Sequence, residues 1–336
     1  MDKKDERILA ELTLNSRIPI NRLAKKVGIS REVANYRLSK LIKDKVIHGF
    51  YTIIDVEALG FERYGCFFQL KGISKQEEEN FMDYLKKHEF VTYMGPVIGR
   101  WNVIFDVYAK TKKHLKEIMK KITDRAGKHL EKYLIIHTGE PLESFPIKIF
   151  GSKKEVDYEE AEKIGLNEKD LEILELLSKN SRIEYKEMSS KLKMSANAIK
   201  YRIKNLEKNK IISGYTILVD KKKLGFEFYD LQLKITENKK EKELKEFVRN
   251  NKHAIYLYKY LGNENWDLDI GLVVKNSSEL RNFILELREN FGDIIKIHDL
   301  YVIVEEVKGD YAPSGVFKNQ FWVKLKWIKK EKRQVI

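Results

Sequence analysis

A chain of 336 residues that is 43% hydrophobic and carries only five prolines has room for two or three folded domains, and its composition excludes a disordered chain. One cysteine, Cys66, excludes an intrachain disulfide framework. No run of 18 apolar residues occurs, and the mixed-charge start "MDKKDERILAEL" does not read as a signal peptide, so we expect a cytoplasmic protein without a membrane partner.

The net charge of +14 is clustered. Residues 20–45 hold eight Lys/Arg against two acids, 185–210 hold the same eight against two, and 317–336 hold seven against one. Positive charge gathered in blocks points to a polyanion such as nucleic acid.

In chain order, Ile8, Leu9 and Leu12 recur at helical spacing and run into "LNSR", where Asn15 is suited to a left-handed helix end. A short second helix puts Ile20, Leu23, Ala24 and Val27 on one face. Gly28 then allows a tight turn and Ser30 is a good N-cap. The third helix, from Arg31 to Asp44, has Val33, Ala34, Leu38 and Leu41 as its apolar positions. Three helices with a tight turn before the last make a helix-turn-helix, and the extended "VIHGFYTIID" after it reads as a wing strand.

The residues left outside the apolar face of the third helix are candidates for DNA contact: Arg31, Glu32, Asn35, Tyr36, Ser39 and Lys40, with Ser30 at the cap and Arg37 beside them. These are side chains that can hydrogen-bond base edges and phosphates in a major groove.

Beyond "LGFE" the pattern changes to strand "RYGCFFQLKG", helix "SKQEEENFMDYLKKH", strands "FVTYMGPVIG" and "WNVIFDVYAK", helix "TKKHLKEIMKKITDR" and strand "LEKYLIIHTG". That βαββαβ order predicts a ferredoxin-like sandwich with two helices on one face of a sheet and an apolar face left to pair with a second sheet.

The whole unit then repeats at an offset of 165 residues, with 23 identities among the 60 pairs from Asp5/Asp170 to Tyr64/Tyr229. A period this long means two copies of a domain-sized unit. The expected fold class is therefore α+β, a tandem duplication of winged helix-turn-helix plus ferredoxin-like βαββαβ domain. The boundaries are head one at 1–55, sandwich one at 56–150, a linker at 151–166, head two at 167–220, sandwich two at 221–312 and a basic aromatic tail at 313–336. In head two, Lys193 takes the place of the turn glycine, and the candidate DNA-binding residues are Ser195, Asn197, Lys200, Tyr201, Arg202 and Lys204, with Ala196 and Asn205 also facing outward. Tyr36/Tyr201 and Arg37/Arg202 are identical between the copies and read as a grip on the DNA backbone. The divergent positions read as contacts to two unequal half-sites. The tail segment alternates Val323, Leu325 and Trp327 with Lys324 and Lys326, the pattern of an edge strand.

"NSRIPINRLAKKVGIS", "YRLSKLIKDKVIHGFYTIIDVEALGF" and the glycine-aromatic turn "GRWN" together resemble the Lrp/AsnC (feast/famine) regulators. The resemblance implies a transcription regulator whose partner is double-stranded DNA, whose sandwich domains dimerise through their sheets, and which often takes an amino-acid-type effector. This chain departs from the family pattern in carrying two units, so we expect an intramolecular pseudo-dimer or a homodimer. The effector turn reads "GRWN" at 99–102 and "GNENWD" at 262–267, and neither has the usual form, which argues against an effector.

The alternative reading is an Lrp-like fold enzyme of haem or tetrapyrrole metabolism, of the decarboxylase type. Of seven histidines only His88 and His253 coincide between copies, both beside a predicted helix end where a cation is favoured. His48, His114, His129, His137 and His298 have no counterparts and no metal-ligand spacing. Trp101 and Trp266 suit the core better than ligand stacking. With no nucleophile, phosphate-loop or paired-carboxylate motif either, the expectation is a chain that is not an enzyme and has no metal and no cofactor.

Overall fold

A computed structural model describes residues 1–144, 150, 165–236, 240–261 and 264–318. Nearly all of the expected linker, and the tail strand around Val323 to Trp327, lie outside these residues.

The first copy runs α1 (Lys3–Leu14), α2 (Ile20–Val27), α3 (Arg31–Lys43), β1 (Ile47–Ile54), β2 (Glu62–Leu70), α4 (Lys75–Lys87), β3 (Val91–Ile98), β4 (Val103–Ala109), α5 (Lys112–Ala126) and β5 (Leu130–Ser144). The second runs α6 (Glu168–Lys179), α7 (Tyr185–Leu192), α8 (Ala196–Lys208), β6 (Ile212–Val219), β7 (Glu227–Ile235), α9 (Glu241–Asn250), β8 (Ala254–Leu261), β9 (Leu268–Val274), α10 (Ser277–Phe291), β10 (Ile295–Ile303) and β11 (Lys308–Gly309).

Local chemistry sets the helix starts in both copies. Asp2 and Asn167 make capping boxes with Asp5 and Asp170, and Ser30 and Ser195 accept from Val33 N and Ala198 N, both at 3.2 Å. Such caps are each worth about 1 kcal/mol. Asn15 and Asn180 depart from the expected left-handed helix end: their φ values are −159° and −157°, extended. Each side chain instead accepts from the amide two residues on, Arg17 N or Arg182 N at 2.9 Å, an Asx turn that leads the chain out of the helix.

The strand expected to be each head's own wing is shared. β1 pairs antiparallel with β6 in a two-stranded ribbon, and the pairing is centred on Tyr51 opposite Thr216, positions that differ by 165. A pair of equivalent residues facing each other is what a twofold axis through the ribbon requires. Ile217 and Val219 of β6 complete the core of head one with Ile8, Leu9, Leu12, Leu38 and Leu41. Thr52 of β1 donates to Leu177 O of α6 at 2.8 Å, and Thr216 to Thr13 O of α1 at 3.0 Å, so each head packs on the other copy's strand.

The two sandwich sheets join at both edges. Their order is β10-β7-β9-β8-β5-β2-β4-β3, and β3 returns to β10 through Val302/Ile98 and Ile303/Val97, closing eight strands into a barrel. Closure removes the exposed edges that would otherwise template aggregation. Lys308–Gly309 pair with Met94 and Tyr93, so the end of the second copy straps the first. Outward strand residues such as Tyr64, Cys66 and Phe68 bury against Phe81, Leu85, Ile118 and Ile122 of α4 and α5; Leu231 and Leu233 do so against Leu244, Val248, Phe283 and Leu287 of α9 and α10. The apolar face predicted to need a partner finds it within the same chain.

Candidate nucleic-acid interface

Each third helix is placed by a left-handed residue at the preceding turn. Gly28 has φ 73°, ψ 50°, and Lys193 has φ 51°, ψ 45°, the same conformation without a glycine. A side chain in this region costs on the order of 1 kcal/mol, and the turn is held from outside by a lysine of the first helix. Lys4 Nζ donates to Val27 O at 3.0 Å and Gly28 O at 3.2 Å, and Lys169 Nζ to Leu192 O at 3.4 Å.

The inner seam of α3 is Ala34, Leu38 and Leu41, and that of α8 is Ile199, Ile203 and Leu206. Val33, expected on the apolar face, is 41% exposed because it lies one residue, about 100° of helix, off the seam. Arg31, Glu32, Asn35, Tyr36, Ser39 and Lys40 are exposed, as are Ala196, Asn197, Lys200, Tyr201, Lys204 and Asn205. Tyr36 and Tyr201 stand out at 69% and 75% exposed, far beyond the ordinary surface tyrosine whose ring rests on the protein.

Five of the candidates have structural work besides. Ser30 and Ser195 cap their helices, as described. Arg37 and Arg202 turn inward to the start of the first helix: Arg37 Nη1 meets Asp2 and Asp5 at 2.8 Å each, and Arg202 Nη1 meets Asp170 at 2.7 Å and Asn167 at 3.2 Å. Identity between the copies at this position thus has a sufficient structural cause. Glu32 lies over the N-terminus of α3, where its own backbone N–H and the Ser30 hydroxyl hold its carboxyl below the usual range.

The two heads interlock through the repeated "NSRI". Ser16 and Ser181, both fully buried, meet at 2.6 Å between their hydroxyl oxygens. Arg182 Nη1 donates to Ser16 O at 2.6 Å and Ile18 O at 3.2 Å, while Arg17 Nη1 donates to Ser181 O. Arg17 lies 5.3 Å over the Tyr215 ring and Arg182 5.4 Å over the equivalent Phe50 ring. Backbone bonds repeat the symmetry: Ser16 N to Tyr215 O and Ser181 N to Phe50 O, both 2.9 Å. The sequence marks this segment only as the end of a helix; its repetition follows from the duplication, and the contact between the two copies is visible only in the folded chain.

Inside the barrel lies a polar layer that sequence reasoning also missed. Arg63 pairs with Asp106 at 2.5 Å; burial opposes the guanidinium charge, and Asp106 together with the Tyr258 and Tyr108 hydroxyls more than offsets it. Tyr260 donates to Asp269 at 2.8 Å and Tyr256 donates to Asp230. Burial pushes the Asp269 carboxyl up to about 7, and burial with the Asp269 charge raises Asp230. The visible signal was an exchange: Gly65 faces Asp106 across one strand pair, and at the equivalent places Asp230 faces Gly271.

Trp101 and Trp266 are 3% and 1% exposed in this interior, and Trp266 Nε1 donates to Asp299 at 2.9 Å. His88 corrects the expectation of a cationic helix cap: burial lowers it to about 4, and its neutral ring accepts from Phe90 N at 3.2 Å. His253 lies two residues past the C-cap Asn251 and contacts Val273 O at 3.2 Å. Among the described residues no group of three or more His, Cys, Asp or Glu is arranged to hold a metal, and no helix is long and apolar enough to cross a membrane.

Comparison with known proteins follows this division into heads and barrel. A winged helix-turn-helix DNA-binding family matches residues 1–48 and again 166–213. The HTH-type transcriptional regulator LrpB of Bacillus subtilis is 31% identical over 145 residues, 43% of this chain and 93% of the relative. LrpA of Pyrococcus horikoshii is 46% identical over 61 residues, 18% of this chain and 43% of the relative.

Among solved structures, the siroheme decarboxylase NirDL superposes with a TM-score of 0.64 over 97% of this chain and 99% of its own, at 14% identity. That likeness concerns the fold, and it overturns the expectation of a chain that is not an enzyme: the complete two-copy architecture is one on which an enzyme is built. Sequence reasoning excluded enzymes by a lack of motifs, which cannot exclude chemistry assembled from residues scattered along a duplicated chain.

Proposed function

The chain belongs to the Lrp/AsnC family of transcriptional regulators, and we propose on that basis that it binds double-stranded DNA through α3 and α8 as a single-chain pseudo-dimer. The observation that carries this is the pair of exposed helix faces related by the twofold axis of the β1–β6 ribbon. Duplex DNA has local twofold axes of its own, so a twofold pair of helices can enter successive major-groove segments together. Tyr36, Tyr201, Arg31, Lys40, Lys200 and Lys204 are the contacts proposed to phosphates and base edges. Such a regulator acts in the cytoplasm, where the DNA is.

The test is binding of the full chain to randomised duplexes at several salt concentrations, with Tyr36→Ala and Tyr201→Ala made separately. Enrichment of a consensus, a steep fall in affinity with salt and weakening by each variant are expected. Binding that ignores salt and both tyrosines would overturn the proposal.

The full-length superposition on NirDL favours a second reading, tetrapyrrole chemistry in the sandwich pair. Its test is optical. Iron-uroporphyrin III added to the chain should then shift the Soret band, and sirohaem should lose carboxyl groups; an unchanged spectrum and unchanged substrate would remove this reading.

A further inference from the structure

Resting on the reading of α3 and α8 as DNA-contacting helices, we propose that the operator is obligatorily asymmetric, built of two half-sites with different base preferences that are each read by one helix only. A dimer of identical chains presents the same residues twice and selects an inverted repeat. Here one chain supplies both heads, and the ribbon and the "NSRI" interlock fix them in the twofold arrangement whatever their outer surfaces carry.

Identity between the two reading helices is confined to positions with other employment, except one. Ser30/Ser195 cap their helices, and Arg37/Arg202 hold the first helix through its acids. Leu41/Leu206 belong to the cores. Lys43/Lys208 sit in the last turn, where a cation is favoured by the helix dipole. Tyr36/Tyr201 remain, exposed and shared, as a contact that does not distinguish the half-sites.

The remaining outward positions all differ. Arg31 stands against Ala196, Glu32 against Asn197, Asn35 against Lys200, Ser39 against Lys204 and Lys40 against Asn205. The differences are of kind. Asn35 can both donate and accept, which suits the N6/N7 edge of adenine, and Arg31 suits the O6/N7 edge of guanine. Lys200 and Lys204 only donate, which suits guanine acceptors or phosphate.

Charge separates the heads as well. At these five positions head one carries Arg31 and Lys40 against Glu32, and head two carries Lys200 and Lys204 with no acid. The Glu32 carboxylate lies at the N-terminus of α3, where it would repel a phosphate, and Asn197 puts no charge at the equivalent position of α8. Head two is therefore the one with the larger sequence-independent, salt-sensitive share of binding. Head one is the more exacting in its choice of bases.

The test is selection of duplexes by the full chain, followed by affinities for three sites made from the result: the selected operator and the two palindromes built by doubling either half. The selected operator should be non-palindromic and bind at least about ten-fold more tightly than either palindrome, since one misplaced bidentate contact is worth about that much. A second chain carries the five changes Ala196→Arg, Asn197→Glu, Lys200→Asn, Lys204→Ser and Asn205→Lys, all at exposed positions. It should now prefer the palindrome of the first half-site.

A palindromic consensus from the unaltered chain, equal affinity for all three sites, enrichment of one half-site alone, or an altered chain with unchanged preference each overturns the inference while leaving DNA binding intact. Failure of the reading it rests on looks different: no enriched sequence and no salt-dependent binding by either chain.

Discussion

Changing both Arg17 and Arg182 to alanine should uncouple the heads without unfolding them. Arg182 gives up bonds at 2.6 and 3.2 Å and Arg17 gives up its bond to Ser181 O, all to backbone carbonyls of the other head. Charged-donor bonds contribute about 1.5–3 kcal/mol each, but two facts reduce the total. Burial and the nearby Arg17 charge both lower the Arg182 guanidinium, so the pair repel each other, and the β1–β6 ribbon stays in place. A loss of about 3 kcal/mol in head-to-head coupling is the resulting expectation. Heads held at a preset spacing gain avidity of about 10²–10⁴ over one head, so affinity for the full operator should fall about 10- to 100-fold. Affinity for an isolated half-site should change less than about two-fold, since no residue touching DNA is altered. Fluorescence anisotropy on labelled full and half sites at one salt concentration measures both. Equal losses on the two, or an unchanged full-site affinity in a chain whose Tm has dropped, would refute the idea that this interlock sets the spacing.

Lys193→Gly should raise stability by up to about 1 kcal/mol by removing a side chain from a left-handed position, measured by urea denaturation; a destabilised variant would show that Lys193 makes contacts outweighing its backbone strain. Gly271→Ala should destabilise by more than about 2 kcal/mol, because its Cβ would lie 2.3 Å from the Tyr256 ring that is tied to Asp230, and a Tm within a degree of the parent would contradict it. Asp269→Asn should stabilise the chain at pH 8 and lose that advantage near pH 4. The folded carboxyl, near 7, lies above its unfolded value of about 3.9, so the folded state holds a proton that the unfolded state releases between these values, and stability falls as pH rises through that window. Thermal melts of both chains across pH 4–8 decide it, and a pH-independent difference would place the effect elsewhere. Cys66 should resist thiol reagents until the chain unfolds, since burial raises its thiol well above the usual range; rapid labelling of native protein would contradict its placement.

Much of this protein was determined by the sequence alone, because the properties concerned are local or repeat. Caps at Ser30 and Ser195, the Gly28 turn, the apolar seams and the βαββαβ order follow from residue type and period, and the 165-residue offset exposes the duplication. What the sequence left open depends on atoms brought together from distant parts of the chain. Whether Arg37 faces DNA or Asp5, 32 residues away, is set by the angle at which α3 crosses α1. Whether β1 is a private wing or half of a shared ribbon is set by β6, and the strand's alternation is the same in either case. The identity of Ser16 with Ser181 is plain in the sequence, but only the folded chain places those two hydroxyls in contact. Hydrophobic periodicity says which face is buried and is silent on what buries it, and that missing partner is what tertiary structure supplies.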